Sequence, residues 1–209
     1  VKAFERMRSI RTTPRRSGRR ARNWSESLFE LKGERNERKT SLGGGFTFPG
    51  TSLTANRVGC GAMQLAWQDG DKRVWGPPRD IPGAIAVLQR GCRVGREPID
   101  TSDFYGPHIT NQIIRRALHP YAKELVIVTK LGARRGADKS WIPALSRQEL
   151  IDGAHDNLRN LNVDVLDVVN LRVGGVEAPS EGSIAKPLSA LVELKRQGLI
   201  RHIGLSNVS

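Results

Sequence analysis

Residues 59–64 read GCGAMQ, and the fold turns on what this glycine pair is for. An open, dinucleotide-binding sheet carries G-x-G-x-x-G at its first strand-to-helix turn, where the third glycine lets the helix pack close to the strand. Position 64 holds Gln64 instead, and the chain runs on into a long loop with Trp67, Trp75 and GPPRD (76–80) rather than into a helix. That weakens the open-sheet reading and favours its alternative, a (β/α) barrel.

The flanking sequence repeats one unit. FTF (46–48), a Pro-Gly turn and SLTANRVGCGAMQLA predict a short hairpin leading into a buried strand around Val58 to Leu65. A helix is expected over Asp80 to Val94, started by Asp80 with Pro82 in its first turn and stopped by Gly95. PIDTS (98–102) then reads as a strand, TNQIIRRAL (110–118) as a helix and LVIVTK (125–130) as a continuous apolar strand. In SRQELIDGAHDNLRNL (146–161), Ser146 and Glu149 have capping-box spacing, and Leu150, Ala154, Leu158 and Leu161 share one helical face. VLDVVNL (165–171) is the next strand, AKPLSALVELKRQG (185–198) a helix closed by Gly198, and RHIGLS (201–206) a further strand. Strands that alternate with helices imply right-handed βαβ units and a parallel sheet covered by helices. The expected fold class is α/β, of the (β/α)8 TIM-barrel type. Closing such a barrel takes eight units and ~250 residues, so about five units predict an incomplete barrel preceded by a β-hairpin.

Barrels of this type take their chemistry from the C-terminal ends of several strands. Asp100 stands at one such end with Tyr105 in the loop after it, Lys130 at the next, Arg172 at the next, and Ser206 and Asn207 at the last. Each has an ordinary structural use: Asp100 as a turn cap, Tyr105 as a loop aromatic, Lys130 as a snorkelling strand end, Arg172 as a surface ion-pair partner. Four at corresponding strand ends favour a shared task. A phenol with a reference pKa of about 10 is a poor general acid near neutrality unless a cation stabilises its phenolate. Lys130 supplies that charge, Asp100 can hold the lysine, and Arg172 can polarise an oxygen that gains negative charge.

The motifs NRVGCGAMQLA (56–66), IDTSDFYGP (99–107), IVTKLG (127–132), NLNVDVLDVVNL (160–171) and GLIRHIGLSNV (198–208) stand in the order and spacing of a known family. From about Phe46 to Ser209 the chain resembles the aldo-keto reductase superfamily, barrels that reduce aldehydes and ketones with a nicotinamide cofactor, usually NADPH, with NADH not excluded. The resemblance implies Tyr105 as the general acid, tuned by Lys130 and Asp100, with the hydride coming from the cofactor. It implies that Ser206 and Asn207 hold the nicotinamide carboxamide and that Gly61, Ala62 and Met63 lie beside the nicotinamide, as Asp100 does. Trp75 matches nothing invariant; lining a substrate pocket and packing over the rim are both open to it. Most members have a histidine where this chain has Arg172. Arginine donates and polarises but does not exchange protons near neutral pH, so it suits an electrophilic role. Pro98 is tolerated only as the first residue of its strand. By the resemblance the chain is the N-terminal part of a barrel, truncated before the strands that carry the rest of the cofactor site, and activity from it alone is expected to be weak or nil.

With 209 residues and 38% hydrophobic content the chain can bury a substantial core. Its charge is uneven: residues 1–40 hold 13 Lys+Arg and 5 acids, against 34 and 21 in the whole chain. TTPRRSGRRARNW (12–24) and KGERNERK (32–39) have the composition of a disordered basic arm, placed at 1–42, with the barrel over 43–209. The arm admits polyanion binding, an Arg-rich transit segment, or sequence outside the working protein, which an opening Val1 favours. A non-catalytic barrel fragment with a polyanion-binding arm is thus the alternative function. Nucleic acid is an unlikely partner, because no recognition helix or aromatic interleaving accompanies the arm. No run of ~18 apolar residues suggests a membrane span, no secretory leader is visible, and the default address is cytoplasmic. Cys60 and Cys92 lie in unrelated contexts and read as separate buried hydrophobes, and the four histidines lack ligand spacing, so neither a disulfide nor a metal site is expected. The substrate is a small carbonyl compound, and the oligomeric state is not encoded.

Overall fold

The computed structural model describes residues 43–66, 74–92, 97–174 and 182–208. The expected basic arm and its boundary lie outside them, as do Trp67 and Gly95. Strands β1 (Gly45–Thr47) and β2 (Thr54–Asn56) form the antiparallel hairpin. Five parallel strands follow: β3 (Cys60–Gly61), β4 (Ile99–Asp100), β5 (Ile127–Leu131), β8 (Leu166–Arg172) and β9 (Ile200–Ser206). Between them lie α1 (Ile81–Gly91), α2 (Ile109–Leu118), α3 (Arg147–Leu161) and α4 (Ala185–Arg196). A second hairpin, β6 (Ala133–Arg135) and β7 (Trp141–Pro143), interrupts the alternation between β5 and α3.

The sheet order is β3-β4-β5-β8-β9, the order of the sequence, with every pairing parallel. A doubly wound sheet reverses direction at a switch point. This one never does, so its strands advance in a single direction as in a barrel left open along one side. The chain is an α/β protein with a parallel sheet and two small antiparallel hairpins.

Helix boundaries follow local chemistry. The Asp80 carboxylate accepts from Gly83 N at 2.8 Å and Pro82 lies in the first turn, so α1 starts where the sequence predicts. It ends at Gly91, short of Val94. On α3 the capping box is complete: Ser146 Oγ accepts from Glu149 N at 3.3 Å, and Glu149 Oε2 accepts from Ser146 N at 3.2 Å. Gly198, at φ 80°, supplies the left-handed residue after α4 that a side chain would resist. The strand expected from Val58 to Leu65 is only Cys60–Gly61, and Ala62–Leu65 is a 3-10 turn. Val58 is exposed: it precedes the short edge strand β3 and is not part of the sheet.

Alternation along the strands separates two environments. Ile99, Ile127, Leu131, Val169 and Leu171 pack against helix residues Leu88, Ile114, Leu150, Ala154, Leu161, Leu191 and Leu194 in the main core. The opposite face carries Gly61, Asp100, Lys130, Asn170, Arg172, Gly204 and Ser206. Its rows are set by register: Gly61 pairs with Asp100, Lys130 with Asn170 and Asn170 with Gly204, and Arg172 with Ser206. Below them Val126 and Val168 pack with Ala55, Phe48 and Leu53 of the first hairpin. The hairpin therefore covers the strands' N-terminal ends and leaves the C-terminal rim to the polar set. Among the described residues no helix is long and apolar enough to cross a membrane.

Candidate active site

Lys130 enters this polar face from the middle of β5 and is almost buried, which an ammonium tolerates only with partners. It has two: Nζ is hydrogen-bonded to the Asp100 carboxylate from the neighbouring strand, and it donates to the Thr101 carbonyl at 3.1 Å. The burial is one-sided, since the Asp100 side chain is 50% exposed against 10% for Lys130. The same ammonium lies 5.3 Å from the centroid of the Tyr105 ring. Three of the expected catalytic residues are thus one contiguous cluster at adjacent strand ends.

Tyr105 sits in a loop fixed from several sides. Its backbone N–H donates to Ser102 O at 3.1 Å, and the next residue, Gly106, donates to Val74 O at 3.1 Å. Gly106 has φ 74°, and a Cβ there would press on Gly76 O, Ile109 and Ala66. Only glycine fits that turn without strain. The Tyr105 ring packs edge-on against Phe104 (5.3 Å) and Trp141 (6.5 Å).

Asp103, the second acid of IDTSDFYGP, holds this loop from the inside. It is buried, and it accepts from Asn111 Nδ2 (3.1 Å) and Asn160 Nδ2 (2.9 Å) while meeting His108 Nδ1 at 2.5 Å. His108 holds φ 67°, so the Asp103 contact anchors a left-handed turn at the start of α2. Behind it, Asn111 accepts from Thr101 Oγ1 (2.8 Å) and donates to Asn157 Oδ1 (3.0 Å), and Thr129 Oγ1 donates to Asn157 Oδ1 (2.5 Å). A buried amide network therefore ties the Tyr105 loop to α3 and β5. Asp103, His108 and Asp156 bring three potential metal ligands within 4.8 Å of one another. The hydrogen bonds that Asp103 already accepts make this the end of the amide network, and no metal is inferred.

The Asp103 hydrogen bond raises the His108 pKa from its ordinary 6.5. A raised folded-state pKa contributes stability that is complete below the unfolded value and lost as pH rises through the folded one. His108→Gln is accordingly expected to lower the unfolding midpoint more at pH 5.5 than at pH 9. The His108 side chain is 47% exposed, and solvent screening limits the difference to about 1 kcal/mol or less. Chemical denaturation at the two pH values checks it; an equal loss at both would remove the charge contribution.

Arg172 joins the cluster through an aromatic. Its Cζ lies 5.7 Å from the Trp141 ring, while the Arg135 Cζ lies 3.9 Å from the same ring and 5.5 Å from Trp75. Trp75 is thus held against Arg135 of the β6–β7 hairpin. Trp141 and Arg135 belong to the β6–β7 hairpin, which the sequence reading did not single out. The turn residues of GADKS (136–140) between two short runs were the available signal.

The expected cofactor residues stand at the ends of the two edge strands of the sheet, β3 and β9, with Asp100 on β4 beside the first. Gly61 stands beside Asp100 with nothing within 4 Å of where its Cβ would be, leaving open space above bare backbone. Met63 is exposed, whereas the Ala62 side chain is buried in the helix-side core, so only its backbone faces the rim. Ser206 pairs with Arg172, and Asn207, at φ 57°, follows directly with its Oδ1 3.4 Å from Ser206 Oγ. The rim thus offers an open glycine at one edge of the sheet and a hydroxyl and side-chain amide at the other.

Comparison with known proteins identifies the family. Over 165 residues the chain is 58% identical to pyridoxine 4-dehydrogenase of Escherichia coli, covering 78% of this chain and 56% of that protein. It is 34% identical over 157 residues to an uncharacterized oxidoreductase of Schizosaccharomyces pombe, covering 75% of this chain and 48% of the relative. The chain thus spans about half the length of these curated relatives. Among solved structures, the glycerol dehydrogenase of Gluconobacter oxydans superposes with a TM-score of 0.66 at 24% identity, over 80% of this chain and 50% of that one. The holo form of an aldo-keto reductase from Bacillus halodurans superposes with a TM-score of 0.62 at 24% identity, over 78% and 49%. At that identity the superpositions establish the fold, and the sequence match establishes the family. Residues 57–209 match the Aldo/keto reductase family, and the chain belongs to it.

Proposed function

We propose that this chain carries the proton-transfer half of an NADPH-dependent carbonyl reductase, with Tyr105 as general acid, Lys130 and Asp100 as its electrostatic support, and Arg172 as the donor that polarises the carbonyl oxygen. The observation that carries the reading is the contact of the Lys130 ammonium with both the Asp100 carboxylate and the Tyr105 ring. When bound, the nicotinamide supplies the hydride. The chain's own residues do the rest. Tyr105 gives its phenolic proton to the oxygen as negative charge develops there, and the phenolate left behind faces a cation already in place. Asp100 fixes that cation without drawing it into solvent. Gly61, Met63, Ser206 and Asn207 hold the carboxamide ring, and the aromatic wall of Trp141 and Phe104 excludes water from the reacting oxygen.

Identity of 58% with a pyridoxine 4-dehydrogenase supports a substrate of the same class, the alcohol or aldehyde at position 4 of a substituted pyridine ring. The test is turnover of NADPH with that aldehyde, with NADH as the comparison and a simple reactive aldehyde as control. Turnover, however slow, that survives Tyr105→Phe in a chain shown to be folded would remove the catalytic reading. Arg172→Ala is expected to lower kcat by about tenfold or more, the usual cost of losing one oxyanion donor. Unchanged kinetics would overturn the role of Arg172 alone.

A further inference from the structure

Cys60 and Cys92 are the only cysteines in the chain, and the sequence gives them unrelated surroundings. The fold brings them together: the Cys92 thiol points at the Cys60 sulfur at 2.7 Å, and both are free. Cys60 lies on the helix side of β3 and is partly exposed, while Cys92 caps the C-terminus of α1 and is buried. Neither takes part in the proton transfer described above. A soft-metal site would need further ligands, and among the described residues the group of three with metal-ligand spacing contains no cysteine.

We propose that Cys60 and Cys92 form a thiol–disulfide exchange site that low-molecular-weight disulfides oxidise, with Cys60 as the attacking and Cys92 as the resolving sulfur. Access sets the order, because only Cys60 can be reached from solvent and only Cys60 lies within reach of Cys92. Electrostatics agree with it. The Cys92 hydrogen bond lowers the Cys60 pKa to about 7, giving a substantial thiolate fraction near neutrality. The same hydrogen bond, and burial, raise that of Cys92, which keeps its proton until Cys60 has reacted.

The chemistry balances without any other reactant. The Cys60 thiolate attacks one sulfur of the small disulfide, forming a mixed disulfide and expelling one small thiolate, which takes up a proton. Cys92 then loses its proton to solvent and attacks the Cys60 sulfur, expelling the second small thiolate. The protein loses two hydrogens, and the disulfide is reduced to two thiols. The new bond pins β3 to the end of α1, one residue before Gly61.

Incubating the full chain with glutathione disulfide tests this by intact mass and thiol titration. Both thiols are expected to disappear together, with the mass falling by two hydrogens and no glutathione retained. Cys92→Ser should trap one glutathione on Cys60, whereas in Cys60→Ser the remaining thiol should stay unreacted. Closure should be at least about tenfold faster in the native chain than in guanidinium, because the fold supplies the effective concentration. Retained thiols, glutathione stable on both cysteines, disulfides only between chains, or closure no faster than in denaturant would each overturn the assignment. No readout depends on catalysis, so the result stands apart from the carbonyl-reductase reading.

Discussion

Tyr105→Phe is expected to lower kcat/KM for aldehyde reduction by about 100-fold or more, the contribution typical of a positioned general acid, while leaving the fold intact. The prediction is sharp because so little else changes. The Tyr105 ring keeps its edge contacts with Phe104 and Trp141, and the Lys130 ammonium keeps its Asp100 partner. What disappears is the one hydroxyl placed to give a proton. Cofactor binding measured by fluorescence should hardly move, since the residues proposed to hold the ring lie on β3 and β9. A variant retaining wild-type turnover would show that another donor, with Arg172 the first to examine, carries the proton-transfer step. Lys130→Met is the informative companion: it leaves the phenol but removes the cation that faces the phenolate, and turnover should fall.

The second large effect concerns stability. Asn157 is fully buried on α3, and its side chain serves three partners: it accepts from Thr129 Oγ1 and Asn111 Nδ2 and donates to Gly153 O. Asn157→Leu keeps the branched outline but leaves the Thr129 hydroxyl without its acceptor and Asn111 without one of two. Orphaned buried polar groups cost about 1–3 kcal/mol each, so a loss of about 2–4 kcal/mol is expected. Because Asn111 also binds Thr101 and Asp103, the damage should reach the Tyr105 loop. Denaturant unfolding measures the first consequence and amide exchange across 101–111 the second. A stability change within 0.5 kcal/mol, the usual range for surface substitutions, would mean the network carries no net weight.

Most of the scaffold was legible because its signals are local. The capping box at Ser146, the Asp80 cap, Gly198 after α4 and the continuous apolar runs of β5 and β8 each act within a few residues of themselves. The strand ends at Asp100, Lys130, Arg172 and Ser206 followed from those runs. What escaped depended on chain segments meeting. The burial of Asp103 was not legible, because its asparagine partners Asn111 and Asn160 come from two different helices. Trp141 was overlooked because its value lies in touching Phe104 and in lying near Arg172, both far away in sequence, as well as Arg135 across its own hairpin. The two cysteines were set apart for the same reason, although the 2.7 Å contact between their sulfurs joins β3 to α1.

Strand β8 writes two messages in alternate letters. Val169 and Leu171 address the helices, while Val168, Asn170 and Arg172 address the other face. Replacing a letter edits one message and leaves the other readable. Deleting a letter exchanges them, driving arginine into the hydrocarbon layer and leucine onto the rim. The strand can therefore vary its chemistry by substitution with little structural penalty, while its length is held almost fixed.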